Sequence, residues 1–444
     1  MALSGLDIYK LLPKTNCKDC GFATCLAFAM ALAQKKVSLD KCPHVSAQAK
    51  EALESASQPP IKLVTIGSGE SKLELGNETV MYRHEQKFHH PAAIGFILED
   101  TLGEDSVDDA VQTINKLKVE RVGQTIGVNL ICIKNSSGYQ NKLVNTVRHV
   151  MAMSDLAIAI CSCDEGAVSE ALKICKDRRP LLVCENSSKL DIFAKLAKDN
   201  NVPLAITCAD PEEASELTEK VKKTGVTEIV VNFSEKNIQK RIQYFTLLRR
   251  TALRKNFRAL GYPVMAFTVS KDLDMELAEA VSYIAKYASI VVLNNAEPEF
   301  VLPALVARQD IYQDPQKPVQ VEPKVYEIGK VSQESPVLVT TNFSITYFTV
   351  AGEVEASKVP SYIMCCDSEG MSVLTAWAAE KFTPEKIADT IKKAGIANLV
   401  SHKKIIIPGY VSVMSGKLEE ASGWKVSVGP KEASGITNYL RSWK

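Results

Sequence analysis

Between residues 60 and 312 the chain repeats one pattern, a short apolar run followed by a longer amphipathic stretch. Continuous apolar runs of this length are typical of strands buried on both faces, and the stretches between them have helical periodicity. The predicted strands are 92–99, 126–133, 156–161, 180–185, 203–208, 228–233, 263–268 and 289–294. Such strands joined by helices predict a closed TIM-like (β/α)8 barrel over 58–312. The run 61–68 and the polar stretch 69–91 predict a hairpin that closes the bottom of the barrel.

The first 57 residues have a different pattern, which is helical and contains cysteine. Apolar residues between Leu6 and Leu12 predict a first helix, which Pro13 ends. Helical spacing of apolar residues predicts a second helix through 26–33 and a third over 46–56. The Ser-Gln-Pro-Pro sequence that follows predicts a linker, so residues 1–57 are expected to form a small separate domain.

A second change of pattern follows residue 312. Four prolines among charged and polar residues predict a linker over 313–336. The α/β rhythm then restarts, with strands predicted at 337–341, 361–366, 404–408 and 425–429 and helices beginning near residues 372, 384, 411 and 431. These elements predict a small open α/β domain over 337–444.

Composition and charge exclude several classes of protein. The 444 residues are 46 % hydrophobic and 24 % charged, as in soluble globular proteins. The net charge is +1, from 53 basic and 52 acidic residues, so no nucleic-acid or membrane partner is predicted. The apolar run 26–33 is far shorter than the roughly 20 residues of a membrane span, and it has no signal-peptide cleavage site.

The twelve cysteines fall into two groups. Eight are scattered, mostly inside apolar strand-like runs, where cysteine behaves as a small hydrophobe. Unpaired cysteines of this kind indicate a reducing compartment, so the chain is expected in the cytoplasm.

The other four, Cys17, Cys20, Cys25 and Cys42, have the spacing C-x2-C-x4-C-x16-C, and Pro43 follows the last. Three closely spaced thiolates can surround one side of a metal cluster, and the helix after Cys25 can return the chain so that Cys42 supplies a fourth. Thiolates stabilise the iron of a [4Fe–4S] cluster, and bacterial ferredoxins also end their motif with Cys-Pro. A structural zinc site would more often show two matched C-x2-C pairs. A domain of this size buries little apolar area, so a metal centre that stabilises it is expected.

Two strand-to-helix turns in the last domain contain glycine. Gly370 precedes one predicted helix, and Gly429 precedes another. Helix N-termini leave backbone N–H groups unpaired, and glycine lets a ligand approach them closely. Each turn alone is weak evidence for a ligand site, and an ordinary connecting loop explains these features better.

Four segments occur in a fixed order around the predicted barrel: NCKDCGFATC, TTNFSITYFTV, CDSEGMSVLTAW and GPKEASG. Together they resemble the large subunit of the corrinoid iron–sulfur proteins of the acetyl-CoA pathway. The equivalent subunit of methanogen acetyl-CoA decarbonylase complexes is similar. The resemblance covers essentially the whole chain. It implies a multidomain α/β protein with a small helical [4Fe–4S] domain, a TIM-like barrel and a C-terminal Rossmann-like corrinoid-binding domain.

The resemblance also implies which residues hold the cofactors. The four cysteines would hold the [4Fe–4S] cluster. The corrinoid contacts would be Thr340, Thr346, Gly370, Met371, Ser372, Val373, Thr375 and Ala433, with Thr375 near the lower face of the corrin. These are mostly small residues and exposed amides, which suit the amide side arms and nucleotide tail of a corrinoid.

The histidines indicate how cobalt is bound. Many corrinoid proteins supply a histidine to cobalt from a D-x-H-x-x-G motif. Of the six histidines only His402 lies in the last domain, and it does not fit that motif. We therefore expect a base-off corrinoid without a histidine ligand, in which the absence of axial ligation raises the Co(II)/Co(I) potential toward that of the cluster.

The barrel is expected to be a scaffold. Polar residues end its predicted strands, namely Glu99, Asp100, Cys163, Asp164, Glu185, Asn186, Asp210, Asn232, Asn294 and Asn295. In a barrel enzyme these positions form the active site. The resemblance implies instead that the barrel docks the small subunit and positions the other domains, so no catalytic residue is assigned.

The implied function is that of a methyl carrier, which takes part in methyltransferase half-reactions rather than acting as a stand-alone enzyme. Cobalt would take a methyl group from methyltetrahydrofolate on a separate methyltransferase and deliver it to the nickel site of acetyl-CoA synthase/CO dehydrogenase. The cluster would pass an electron from ferredoxin or a reductive activator to oxidised cobalt. Two alternatives are an electron-transfer iron–sulfur subunit without corrinoid and a barrel methyltransferase that binds the pterin itself.

Overall fold

The computed structural model describes residues 5–33, 37–46, 49–50 and 59–443. These residues form two compact units. The first contains the described residues up to 81, with 89–116 and 128–308, and the second contains 82–88, 117–127 and 309–443. Among the described residues, no helix is both long and apolar enough to cross a membrane.

The N-terminal part of the first unit is helical, as predicted. Helix α1 spans Gly5–Leu11, helix α2 spans Cys25–Ala33, and a short 3-10 helix spans Leu39–Lys41. The two α-helices pack closely, since a Cβ added at Gly5 would lie 2.3 Å from the sulfur of Met30. The predicted third helix, 46–56, falls mostly outside the described residues.

The barrel is formed by eight parallel strands, which confirms the predicted fold. The strands of residues 59–312 are β1 (Val64–Ile66), β2 (Leu73–Leu75), β3 (Ala93–Glu99), β4 (Lys118–Arg121), β5 (Gln124–Gly127), β6 (Leu130–Lys134), β7 (Ala157–Ser162), β8 (Leu181–Cys184), β9 (Leu204–Cys208), β10 (Ile229–Phe233), β11 (Val264–Phe267) and β12 (Ala288–Leu293). The strands β3 and β6 to β12 follow one another around the barrel, and β12 pairs with β3 to close it. A helix follows each of them: Glu104–Lys116, Gln140–Met153, Glu165–Cys175, Leu190–Asp199, Pro211–Thr224, Ile238–Arg254, Leu273–Ala285 and Pro298–Tyr312.

The antiparallel hairpin β1–β2 closes the amino-terminal end of the barrel, as the sequence predicts. Val64, Ile66 and Leu75 join the buried cluster that fills the barrel. The backbone N–H of Thr65 donates to a carboxylate oxygen of Glu228 at 2.9 Å, and Glu228 directly precedes β10. The barrel interior is therefore an apolar core closed at one end.

The second unit contains a five-stranded sheet in the order β13-β15-β14-β16-β17. Its strands are β13 (Val325–Ile328), β14 (Val337–Thr341), β15 (Ser361–Cys366), β16 (Lys404–Ile407) and β17 (Lys425–Val428). Its helices are Ser344–Ser357, Val373–Ala378, Pro384–Lys393, Ser415–Ser422 and Ile436–Arg441, with a 3-10 helix at Gly409–Met414. The hairpin β4–β5 also belongs to this unit.

One strand and two helices of this unit differ from the prediction. Residues 325–328, predicted to lie in a linker, form the edge strand β13, antiparallel to β15. Their apolar and aromatic residues fit a strand, and the neighbouring prolines 323 and 336 lie outside it. The helix Ser344–Ser357 was not predicted, and the last helix begins at Ile436 rather than near residue 431.

Candidate cofactor sites

The first three cysteines of the predicted cluster lie on the loop between α1 and α2 or at its end. Four residues of this loop have left-handed backbone: Lys14 (φ 58°), Asn16 (φ 48°), Lys18 (φ 69°) and Gly21 (φ 82°). Non-glycine residues rarely adopt this conformation, and it is concentrated at functional sites. The loop thus coils tightly instead of extending.

Exposure falls along the four cysteines. Cys17 is exposed, Cys20 is half-buried, and Cys25 and Cys42 are buried. Cys20, Cys25 and Cys42 belong to one hydrophobic cluster that includes residues of both helices. Because all four thiols are free, and thiolates are the usual ligands of iron–sulfur clusters, this donor set suits such a centre.

Asn16 fixes the position of Cys25. The backbone N–H of Cys25 donates to Oδ1 of Asn16 at 2.8 Å, and the backbone N–H of Asn16 donates to Sγ of Cys25 at 3.4 Å. Hydrogen bonds to ligand sulfurs help to set the reduction potential of an iron–sulfur centre, so this N–H is placed to act on one. Asn16 was not among the predicted site residues.

Two polar side chains lie beside the exposed Cys17. The Cys17 sulfur, a carboxylate oxygen of Asp19 and a ring nitrogen of His44 all lie within 4.8 Å of one another. His44 Nε2 is 2.6 Å from Asp19, and this hydrogen bond lowers the pKa of the Asp19 carboxyl. These two residues were also missed, because their separation of 25 positions leaves no local pattern.

The second unit contains an apolar cavity at the carboxyl ends of β14, β16 and β17. Its volume is about 130 Å³. It is lined by Leu338, Val339, Thr340, Thr346, Val350, Val373, Ile406, Ile407, Pro408, Tyr410, Gly429, Pro430, Lys431, Ala433, Ile436 and Tyr439. This edge is where open α/β sheets bind ligands.

Four of the eight predicted corrinoid contacts line this cavity: Thr340, Thr346, Val373 and Ala433. The other four do not line it. Gly370, Met371 and Ser372 form the loop that leads to Val373, and the Thr375 hydroxyl lies in the next helical turn, 3.0 Å from the Ser372 hydroxyl. The eight positions thus fall into two groups, one that lines the cavity and one at the start of the helix. Val373 connects the two groups.

The Thr340 hydroxyl is a polar group that lacks a partner. Thr340 is 2 % exposed, and its Oγ1 has no hydrogen-bond partner among the described residues. A buried hydroxyl without a partner is unfavourable and rare. Since the Thr340 side chain lies in the cavity wall, the cavity suits a mainly apolar ligand group that also offers one hydrogen-bonding atom.

Two loops meet backbone to backbone at the cavity. The N–H of Gly409 donates to the carbonyl of Pro430 at 3.0 Å, and a Cβ added at Gly409 would lie 2.6 Å from the carbonyl oxygen of Gly429. Glycine at 409 is therefore required by this contact. Gly429 was predicted to lie in a possible ligand-binding turn, but its contact with the loop at Gly409 was not predicted.

The polar residues predicted at the barrel strand ends act largely in structural contacts. Asp164 and Asp210 cap the helices that follow them, each accepting two backbone N–H groups. Asp100 accepts hydrogen bonds from the backbone and hydroxyl of Ser137 at 2.8 and 2.7 Å. These contacts stabilise the helix starts and the loops that follow the barrel strands.

Comparison with known proteins finds two matching families and several relatives of similar length. The sequence matches the family described as CO dehydrogenase/acetyl-CoA synthase delta subunit over residues 63–440, and an Fe–S cluster family over residues 12–44. It is 44 % identical over 442 residues to the corrinoid/iron-sulfur protein large subunit of Moorella thermoacetica, covering 100 % of this chain and 99 % of that protein. It is 35 % identical over 453 residues to the acetyl-CoA decarbonylase/synthase complex subunit gamma of Methanothermobacter thermautotrophicus, covering 99 % of each.

Similarity to solved structures is more distant. A Yersinia pestis dihydropteroate synthase with a pterine-sulfa conjugate matches 50 % of this chain and 94 % of that chain, with 14 % identity and a TM-score of 0.38. The relatives at 44 % and 35 % identity, by contrast, are matched along essentially their whole length. The chain therefore belongs to the family of corrinoid/iron–sulfur protein large subunits, as its motifs predict.

Proposed function

We propose that this chain is a methyl carrier. In this role it accepts a methyl group from methyltetrahydrofolate through a separate methyltransferase and delivers it to the nickel site of acetyl-CoA synthase. The observation that carries the proposal is the cavity of the second unit, whose mainly apolar wall contains the Thr340 hydroxyl, unpartnered among the described residues. Its ligand would be the corrinoid, which the name of the Moorella thermoacetica relative includes.

The corrinoid would be held by the eight residues of the two groups described above. When bound, it supplies the cobalt that takes and gives up the methyl group. The chain's own residues bind and orient it. The apolar cavity would receive the nucleotide tail, with Thr340 donating or accepting one hydrogen bond, while the helix start at Ser372 and Val373 would face the corrin with Thr375 near its lower face.

We also propose that cobalt receives no histidine from this chain. His402 precedes β16 at its amino end, whereas the cavity lies at the carboxyl end of that strand. Its Nε2 is 2.9 Å from the carbonyl oxygen of Ser335, and its Nδ1 accepts the backbone N–H of Lys404 at 3.2 Å. Both ring nitrogens are thus engaged away from the cavity. Nitrogen coupling from an imidazole in the magnetic resonance of the Co(II) form would contradict this.

Cys17, Cys20, Cys25 and Cys42 would hold a [4Fe–4S] cluster, which supplies the electron that returns oxidised cobalt to its reactive state. The match of residues 12–44 to an Fe–S cluster family and the shared hydrophobic cluster around three of the cysteines support this assignment. Cys25 and Cys42 would anchor the buried side, and Cys17 would hold the corner nearest to solvent.

The proposed partners are the small subunit of the heterodimer, the methyltransferase, acetyl-CoA synthase/CO dehydrogenase and a ferredoxin or reductive activator. Exposed apolar side chains that follow the carboxyl ends of β14, β15 and β16 support docking of proteins at this edge. They are Ile345, Phe348, Leu374, Trp377, Tyr410 and Val413, each between 42 % and 73 % exposed. All twelve cysteines are free, which supports a cytoplasmic location.

Anaerobic metal analysis with a visible spectrum tests the proposal, using the full chain produced with its small subunit and supplied with corrinoid. About one cobalt and four irons per chain are expected from one corrinoid and one cubane cluster. Iron without cobalt would instead indicate an electron-transfer subunit, and tight binding of pterin by this chain alone would indicate a methyltransferase.

A further inference from the structure

The loop between β15 and the helix Val373–Ala378 is held by a side chain outside it. Asn342 directly follows β14 and is 1 % exposed. Its Oδ1 accepts the backbone N–H of Ser368 at 2.9 Å and that of Gly370 at 3.2 Å. The Ser368 hydroxyl lies 2.9 Å from the same oxygen and 3.0 Å from the Met371 carbonyl, so it can donate to either. One buried carboxamide oxygen therefore organises most of this loop.

The nitrogen of the same carboxamide faces two other groups. Nδ2 of Asn342 donates to Oε1 of Gln320 at 3.0 Å and lies 3.4 Å from Oδ1 of Asp367. On the far side of the loop, a Cβ added at Gly370 would lie 3.0 Å from the carbonyl oxygen of Pro318. The loop is thus enclosed between Asn342 and the segment 318–320.

The loop backbone requires such support. Glu369 and Gly370 are consecutive left-handed residues, with φ of 57° and 75°. A non-glycine residue in this region is unfavourable and persists only where its surroundings fix it. Glu369 also donates its N–H to Asp367 at 3.0 Å, so the turn is determined by contacts with both Asn342 and Asp367.

We propose that Asn342 is a positioning residue for the corrinoid. By fixing 367–372, it sets where the helix Val373–Ala378 begins, and thereby the placement of Val373 in the cavity wall and of Thr375 one turn on. The inference rests on the proposed function and adds a residue that contacts no part of the cavity itself.

Three variants of the full chain in complex with its small subunit test this role. Asn342→Ala removes the acceptor of two buried N–H groups and should weaken corrinoid binding by about tenfold or more. Asn342→Asp alone turns a carboxylate toward Asp367 and should also weaken binding. The double variant Asn342→Asp with Asp367→Asn keeps an acceptor oxygen for the N–H groups of Ser368 and Gly370 and pairs a carboxamide with a carboxylate again, with Gln320 turned to present its Nε2. It should therefore bind corrinoid more tightly than Asn342→Asp alone.

The magnetic resonance spectrum of the bound cobalt separates positioning from mere stability. The magnetic resonance of the bound Co(II) form should change in Asn342→Ala and return in the double variant, because the helix start beside the corrin moves. Asn398→Ala is the matched control, since Asn398 is exposed and precedes the amino end of β16, so it should change neither binding nor spectrum. Gly370→Ala, which displaces the loop from its other side, should reproduce the spectrum of Asn342→Ala.

The outcomes are distinct. If the wild-type chain binds no corrinoid, the proposed function itself fails. If wild type binds and Asn342→Ala retains wild-type affinity and spectrum, the positioning role is overturned. Should Asn342→Ala not fold, the comparison of Asn342→Asp with the double variant decides the question, and equal affinity of these two would overturn the role.

Discussion

Replacing Thr340 by valine should have opposite effects on the ligand-free and ligand-bound protein. The change substitutes a methyl group for the hydroxyl and keeps the side-chain size. In the ligand-free chain the hydroxyl is buried and unpartnered, which costs about 1–3 kcal/mol in protein mutational data. Valine also favours a strand position. The free energy of unfolding of the second unit should therefore rise by about 1 kcal/mol or more, which raises its Tm by about 2–4 °C per kcal/mol.

The same change should weaken corrinoid binding. A hydrogen bond between the Thr340 hydroxyl and the ligand would stabilise the complex by about 0.5–1.5 kcal/mol, so its loss corresponds to roughly a two- to tenfold weaker affinity. Thermal unfolding of the ligand-free chain gives the first effect. Titration with corrinoid, followed by visible absorbance, gives the second.

Thr341→Val is the matched control for this experiment. Thr341 is fully buried on the same strand, its hydroxyl is also unpartnered among the described residues, and it does not line the cavity. It should stabilise the chain and leave corrinoid affinity unchanged. A lower Tm in Thr340→Val would refute the reasoning, since it would mean that the hydroxyl has a partner in the ligand-free protein.

Three further experiments test the cluster loop, the loop contact beside the cavity and a buried thiol. Cys25→Ala should abolish cluster retention, whereas Cys17→Ala should leave some iron bound, because only the exposed corner is lost; iron and sulfide analysis compares them. Gly409→Ala places a Cβ 2.6 Å from a carbonyl oxygen and should destabilise the second unit by about 1–3 kcal/mol in thermal unfolding. Gly416→Ala, on an exposed helix with open space, should stabilise it slightly instead. Burial raises the pKa of Cys175 to about 12, so this thiol should resist alkylation at pH 8 until the chain unfolds, as peptide mass analysis can check; modification in the folded state would contradict its burial.

The barrel was predictable because its signal is long and repeated. Each strand is a continuous apolar run bounded by polar turns, and an amphipathic helix follows each one. The first residues of the strand predicted at 126–133 belong instead to the hairpin β4–β5, which the sequence did not predict. The hairpin β1–β2 was predictable for a related reason, since its apolar residues could be buried only at an open end of the barrel.

The missed elements lack such a signal. The helix Ser344–Ser357 begins with isoleucine, threonine, tyrosine and phenylalanine, which favour strands, so packing rather than propensity determines it. β13 has only four residues and lies among prolines. Its pairing with β15 depends on a partner more than 30 residues further along the chain.

The residues of the cofactor sites also divide into those with a local sequence signal and those without one. The four cysteines follow from a short motif, because their chemistry is concentrated in nearby positions. The four predicted contacts that line the cavity follow from the family resemblance instead. Asn342, Gly409 and the pair Asp19–His44 act through contacts with distant segments. Their roles depend on where the chain returns in space, which no single segment of sequence encodes.

The hairpin that closes the barrel has a consequence for the order in which the protein is made. β1 and β2 leave the ribosome before any barrel strand, yet Thr65 finds its partner Glu228 only after 163 more residues. The barrel itself closes when β12 pairs with β3, so Ala93 waits for Ile290. Contacts between such distant residues form slowly, since the entropy of a long loop must be lost first. The N-terminal cysteine segment is therefore complete, and available to an iron–sulfur cluster, while the barrel is still unfinished.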